Sequence, residues 1–232
     1  MESSVVTETL PERFEENLDF VRKHVDSRFC VLAAPRGENS QHPESYRDVE
    51  CAFAADMLSR IQARDVLDIG SYRLFTIGLG AAFDVTTVDV RPRKVHTARE
   101  KTLICDAKKL RVQDASFDAA VSLCAVEHFG LGRYGDELDM DADRTAVREM
   151  TRVLRPGGSL IFTTTITGAR PTLLFNAHRI YSHEMIKELC AGLTPVEERF
   201  YSMTQWRFCS HGELTAVPGK WDMYLGMWRV AQ

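Results

Sequence analysis

Three acids carry the first chemical signal in this chain. Asp68 closes the run Val66-Leu67 and is followed by Ile69 and Gly70, Asp89 ends the run that begins at Asp84, and Asp106 follows Thr102-Leu103-Ile104-Cys105. Each acid stands at the carboxyl end of a short stretch of apolar and β-branched residues. Such a stretch reads as a parallel strand covered on both faces. Ligands of open α/β sheets bind at that edge. Gly70 permits a sharp turn and close approach of a ligand, and the helix expected after it offers unpaired N–H groups at its positive end. Asp89 falls about 20 residues beyond the glycine turn, where an acid meets ribose hydroxyls in dinucleotide-type sites.

A second chemical stretch runs Val126-Glu127-His128-Phe129-Gly130-Leu131-Gly132-Arg133-Tyr134-Gly135-Asp136-Glu137-Leu138-Asp139. It should emerge at the same sheet edge. His128 titrates near neutrality and is the first choice for a general base; the competing role is a structural histidine holding the loop. Arg133, Tyr134 and Asp136 suit a sugar or a phosphate, or else form a self-contained turn with Arg133 paired to Asp136. Glu127 is read as a loop anchor. Arg91 and Arg93 either sit in a solvated turn or meet a phosphate or carboxylate on an acceptor.

Asp139-Met140-Asp141-Ala142-Asp143 invites a calcium loop, but that loop needs glycine sixth and glutamate twelfth. Arg144 and Met150 stand there. An acid-rich helix start explains these residues better, and no metal site is expected. A divalent ion on His128, Asp136 and His178 or His183 is the weaker alternative. Trp206, Trp221 and Trp228 stack on sugar faces or are simply buried.

The elements that position these residues follow from periodicity. Helices are expected over Leu10–Val25, Tyr46–Ala63, Leu74–Phe83, Asp143–Leu154 and Ser182–Cys190, the last capped by Ser182. A breaker-rich connector runs through Pro35, Gly37, Asn39, Ser40 and Pro43. Strands are expected at Val66–Ile69, Asp84–Val90, Thr102–Cys105, Phe117–Cys124, Ser159–Ile166, Thr194–Met203 and Met223–Val230. The basic link from Arg91 to Lys101 is too short for a full crossover helix. The alternation predicts an α/β fold: a doubly wound, mostly parallel seven-stranded sheet with helices on both faces. Residues 1–45 form a helix and a connector or lid, and 46–232 the main domain.

The three acids at consecutive strand ends, with Leu154-Arg155-Pro156-Gly157-Gly158 before the fifth strand, resemble the class I S-adenosylmethionine-dependent methyltransferases. The resemblance implies S-adenosylmethionine as cofactor. It implies that Asp68, Gly70 and Ser71 face the methionine part, that Asp89 takes the ribose, that Asp106 with Ala107 faces adenine, and that Cys124 lines the pocket. The first turn departs from the family pattern, which has further glycines where Ser71-Tyr72-Arg73 stands here. The Glu127–Asp139 loop, with Asp68-Ile69-Gly70-Ser71, Val88-Asp89-Val90-Arg91-Pro92 and Asn176-Ala177-His178-Arg179-Ile180-Tyr181-Ser182, also resembles a methyltransferase-like family of unknown function. Some of its members look linked to surface-glycan or nucleotide-sugar metabolism. The likeness covers most of Val66–Ser182. It implies O-methyl transfer to a hydroxyl of a small polar acceptor, such as a sugar or glycan precursor, with His128 as base. The unusual first turn motivates the alternative, a non-catalytic binding or scaffold module. A nicotinamide-dependent dehydrogenase fits poorly, because the glycine fingerprint is incomplete.

Composition narrows the rest. The 232 residues suffice for one large α/β domain. A balance of 29 basic against 33 acidic residues, net -4, speaks against a non-specific nucleic-acid binder. No apolar run is long enough to span a bilayer, and Met1-Glu2-Ser3-Ser4 lacks a signal-peptide layout. Six cysteines without C-x-x-C spacing read as reduced thiols of a cytoplasmic protein. A homodimer is compatible with these features.

Overall fold

Strong apolar runs become strands wherever both faces can be covered. The computed structural model describes residues 13–28, 30–33, 45–95 and 97–232. Its contacts divide the chain into two units, Met1–Glu44 and Ser45–Gln232. The first unit contains helix α1 (Phe14–His24), in which no residue is buried. The start of the expected helix at Leu10, and the connector through Pro35, Gly37, Asn39, Ser40 and Pro43, lie outside the described residues.

The second unit runs α2 (Tyr46–Ser59), β1 (Asp65–Ile69), α3 (Arg73–Leu79), β2 (Asp84–Asp89), β3 (Glu100–Ile104), β4 (Phe117–Leu123), α4 (Ala142–Val153), β5 (Leu154–Ile166), β6 (Thr172–Leu174), β7 (His178–Ile180), α5 (His183–Leu189), β8 (Thr194–Ser202), β9 (Arg207–Cys209) and β10 (Asp222–Arg229). A capping box starts α2: the Ser45 hydroxyl accepts from Arg47 N and the Asp48 carboxylate accepts from Ser45 N. The helix ends at Ser59, short of the expected Ala63, because the Arg60 N–H turns back to Met57 O in a tightened last turn.

The main sheet has the order β3-β2-β1-β4-β5-β10-β8-β9. Strands β3 to β5 in this order pair in parallel, whereas β10 is antiparallel to both β5 and β8. This is a Rossmann-like, mostly parallel sheet. It has eight strands rather than seven, because β8 folds back on the three-residue β9. A second sheet, β6 with β7, escaped prediction because three residues are too few to show a period. β5 begins at Leu154 rather than Ser159. The Pro156-Gly157-Gly158 stretch forms an irregularity between two paired segments rather than a loop, with Gly157 at φ 76°.

Strand alternation divides the core. Val66, Val121 and Leu123 pack with Phe53, Met57 and Leu79 from α2 and α3. Leu67, Ile69 and Phe162 pack with Val147, Met150 and Ile186 from α4 and α5. The carboxyl ends of β1, β2 and β4 are thereby held rigidly at one edge. Among the described residues no helix is long and apolar enough to cross a membrane.

Leu67 is fully buried in β1. Leu67→Ala should lower unfolding free energy by about 2–5 kcal/mol in urea titrations. The exposed Leu173→Ala should change it by about 0.5 kcal/mol or less.

Candidate active site

The three strand-end acids have different surroundings. Asp68 is fully buried, and no donor reaches hydrogen-bonding geometry with either of its oxygens. Arg93 Nη1 is its nearest cation, 3.8 Å away and itself without a hydrogen bond. Burial pushes the Asp68 carboxyl up to about 7, with Ser71 and Arg93 offsetting only part of the cost. Asp89 is engaged: Arg91 donates to it from its backbone N and from Nε, and Arg93 from Nε. Burial opposes its ionisation, but these bonds hold its pKa below the usual carboxylate range. Asp106 is half-exposed and accepts from the Lys108 backbone N–H.

The turn after β1 is tight for a specific reason. Gly70 has φ 70°, and a Cβ there would lie 3.0 Å from Ala125 Cβ. The Ser71 hydroxyl accepts from Leu123 N and so ties the turn to the end of β4. Tyr72 precedes α3 and points away from the cleft between the acids; it borders a neighbouring cavity instead.

The loop after β4 opens with one 3-10 turn, Val126–His128. His128 Nδ1 lies 2.6 Å from Ala177 O. A carbonyl can only accept, so Nδ1 carries the proton and Nε2 keeps the lone pair. Burial pulls His128 down to about 4; the Ala177 bond opposes this, and Arg133 and His178 add to it. Arg133 donates to Ala177 O as well, not to Asp136. Asp136 accepts from the Gly132 and Tyr134 N–H groups and acts as the brace of its own loop. Burial opposes its ionisation, and those N–H groups keep its pKa low. Glu127 is almost sealed, accepts from the Thr164 hydroxyl and is pushed up to about 7 by burial.

Arg179 of β7 fixes the far side of this loop. It donates to Phe129 O at 2.6 Å and Met140 O at 3.1 Å, and lies 3.4 Å from Asp143. Gly130 is forced where the loop closes, since a Cβ there would sit 2.1 Å from Asp139 O. The sequence marks Arg179 only as part of the Asn176–Ser182 stretch, because its partners are carbonyls that leave no trace in composition.

Two cavities result. A cleft of about 660 Å³ is bordered by Gly70, Asp89, Asp106, Ala107, Cys124 and His128. Asp136 also faces this cleft, not the second cavity. A larger chamber of about 1150 Å³ is bordered by Ser71, Tyr72, Arg133, His178 and Trp221 among others. Gly70, Arg91, Cys124, His128 and Tyr134 border both. The chamber also takes in Tyr46 and Arg47 from the start of α2, which no motif linked to the site. His183 stands apart, bonded to Glu198. Among the described residues no three His, Cys, Asp or Glu side chains are grouped to hold a metal ion.

Residues 67–162 match the family model described as a methyltransferase domain. A curated relative, the tRNA (carboxymethyluridine(34)-5-O)-methyltransferase ALKBH8 of Mus musculus, is 26% identical over 157 residues, covering 66% of this chain and 21% of that protein. The chain thus spans about a fifth of that relative's length. The malonyl-[acyl-carrier protein] O-methyltransferase of Pseudescherichia vulneris is 28% identical over 195 residues, covering 73% of each chain. Among solved structures, the N-methyltransferase NodS of Bradyrhizobium japonicum in complex with S-adenosyl-l-homocysteine is similar, with a TM-score of 0.57 and 20% identity. That similarity covers 80% of this chain and 87% of NodS. The fold is that of the class I methyltransferases, and residues 67–162 are similar to a methyltransferase domain.

The buried acids give a pH test. Asp68 and Glu127 each keep a proton in the folded state up to about 7, whereas the unfolded chain loses it near the ordinary carboxylate value. From about pH 4 to 7 the folded state therefore binds more protons, and this part of the stability falls as pH rises. Glu127→Gln mimics the protonated acid. Its Tm relative to the parent should climb across that window and level off above it. A Tm difference independent of pH in melts from pH 4 to 8 would contradict the assignment.

Proposed function

We propose that this chain is an S-adenosylmethionine-dependent methyltransferase acting on an oxygen of a small polar acceptor. The observation that carries the reading is the meeting of two cavities at Gly70, Cys124 and His128, one bordered by strand-end acids and the other by basic and aromatic side chains. The residues fit the cofactor. Both Asp68 oxygens are buried with only Ser71 and, 3.8 Å away, Arg93 to favour their charge, which leaves room for a cationic amino group, and Gly70 preserves room that a Cβ would fill. Asp68, Gly70 and Ser71 would hold the methionine part, Asp89 the ribose, and Asp106 with Ala107 the adenine. Asp89 already accepts four hydrogen bonds from Arg91 and Arg93, about as many as a carboxylate can take, so ribose hydroxyls would displace the Arg91 guanidinium from it.

When bound, the cofactor supplies a methyl group activated on a sulfonium. The protein's task is to align the acceptor in line with it and to keep water out. Cys124 borders both cavities, but burial raises its thiol pKa well above the usual value, so it stays a neutral wall and not a rival nucleophile. His128 presents Nε2 as the candidate base for a hydroxyl on a sugar or glycan precursor. Both curated relatives bear O-methyltransferase names, which supports an oxygen acceptor. The net charge of -4 favours a small molecule over nucleic acid, and six free thiols suit a cytoplasmic setting.

One observation favours a second reading, a module that kept the fold without the reaction. Asp89 is already gripped by Arg91 and Arg93. Calorimetry joined to a methyl-transfer assay separates the two readings, since cofactor binding without methyl transfer to any glycan extract favours the module. The enzyme should bind S-adenosylhomocysteine at micromolar levels, and Asp89→Ala should weaken binding by about tenfold or more, as loss of a charged hydrogen-bond partner does. Absence of any heat with either form of the cofactor would reject the enzyme.

A further inference from the structure

The acceptor-side chamber is unusually rich in guanidinium groups. Arg47, Arg73, Arg91, Arg93 and Arg133 all border it. Arg47 pairs with Glu50 and Arg73 with Glu100, while Arg91 and Arg93 share Asp89. Five guanidinium groups thus face four carboxylate partners, Glu50, Glu100, Asp89 and, 3.8 Å from Arg93, Asp68. Arg133 has no carboxylate within ion-pair reach among the described residues. Its guanidinium carbon lies 5.4 Å from the centre of the Tyr134 ring, and that of Arg91 lies 4.5 Å from it. The two cations are thereby held near one aromatic ring. His178 adds a buried Nε2 with no partner among the described residues.

The same chamber is poor in bases. A hydroxyl acceptor needs one within hydrogen-bond reach. Glu127, the one carboxylate bordering the chamber, is 1% exposed and engaged by Thr164. His128 keeps its Nδ1 proton on Ala177 O and has Arg133 and Arg47 as cationic neighbours. Its depressed pKa makes Nε2 a weak proton acceptor, and His178 is pulled down in the same way, by burial first and Arg133 second. An uncharged hydroxyl would therefore meet excess positive charge and little help in losing its proton.

We infer that the acceptor is a small carboxylic acid, held by Arg133 with Arg91 beside Tyr134, and that its ionised carboxylate oxygen receives the methyl group. This rests on the methyl-transfer reading above and replaces its hydroxyl acceptor by a carboxylate, for which His128 is not needed as a base. The carboxylate oxygen forms the new bond to the methyl carbon. The bond from that carbon to sulfur breaks, and its electron pair stays on sulfur. The negative charge on oxygen and the positive charge on sulfur both vanish, and no proton leaves the acceptor. The product is a methyl ester. Guanidinium suits this task because its planar fork matches a carboxylate edge to edge. Tyr46, Tyr72 and Trp221 border the same chamber and offer ring faces to a sugar-like body, so a sugar acid makes a suitable probe.

Calorimetry on the protein saturated with S-adenosylhomocysteine tests the inference, using glucuronate, glucose 6-phosphate and glucose as probes. They share a ring and differ at one carbon. Glucuronate should bind at least about tenfold more tightly than glucose, and Arg133→Gln should remove that preference, with Arg133→Lys restoring part of it. S-adenosylhomocysteine affinity should stay within about twofold in both variants, because Arg133 does not border the cofactor cleft. Methyl label transferred to glucuronate should be released as methanol by mild alkali. Equal binding of glucose, binding of the phosphate alone, no binding of any probe, or a preference untouched by Arg133→Gln would overturn the inference, as would alkali-stable label. Failure of S-adenosylhomocysteine itself to bind would instead sink the methyl-transfer reading beneath it.

Discussion

The structure turns on one buried carboxylate that its own chain does not complete. Asp68 lies at the end of a strand covered on both sides, with neither oxygen hydrogen-bonded. Taking a charge out of water is costly unless partners replace the water, and the rise of its pKa to about 7 is the trace of that cost. Core packing would place an apolar residue there. An acid at this point makes sense as half of an interaction whose other half comes from a ligand. Gly70 beside it, held at φ 70° against Ala125, leaves the backbone bare on the same side.

From that acid the rest follows outward. The β1 and β4 ends are tied by the Ser71 hydroxyl to Leu123 N and the Ser122 hydroxyl to Ile69 O. The loop after β4 is held by Asp136 from within and by Arg179 from β7. These bonds hold His128 and Tyr134 at the border of two cavities and Arg133 at the edge of the second. The two sides differ in their balance of charged groups, although Arg91 and Lys108 also border the cleft and pair with its acids. The cofactor cleft is edged by Asp89, Asp106 and Asp136, while arginines dominate the acceptor chamber. A cationic sulfonium cofactor and an anionic acceptor would each meet a complementary wall, and electrostatic complementarity of this kind selects partners more than it adds affinity.

The fold was largely legible because its signals are local. β1, β2 and β4 are dominated by apolar or β-branched residues, and each ends near a residue that borders the cleft. Among the described residues no helix lies between β2 and β3, as a link too short to hold one implies. What escaped was non-local or too short. β5 starts five residues early, because Pro156-Gly157-Gly158 looks like a breaker from sequence yet pairs across an irregularity. β6, β7 and β9 have three residues each and show no period. The site was legible in its acids and its loop, but not in its balance of charge. Arg47 and Tyr46 join it from α2, far upstream, and Glu127 and His128 owe their shifted pKa values to burial, which no spacing reveals. Asp136, expected on the acceptor, accepts from backbone N–H groups of its own loop and borders the cofactor cleft, a placement that depends on the path of the loop through Gly130, Gly132 and Gly135.

The central claim is that acids at neighbouring strand ends converge on one adenosine-bearing molecule. A crystal structure of the complex with S-adenosylhomocysteine tests it most directly. The account predicts the amino group beside Asp68, the ribose hydroxyls on Asp89 with the Arg91 guanidinium moved aside or sharing the carboxylate, and adenine against Asp106 and Ala107. A ligand lying elsewhere, with Asp68 still unpartnered and Asp89 still closed by both arginines, would contradict it.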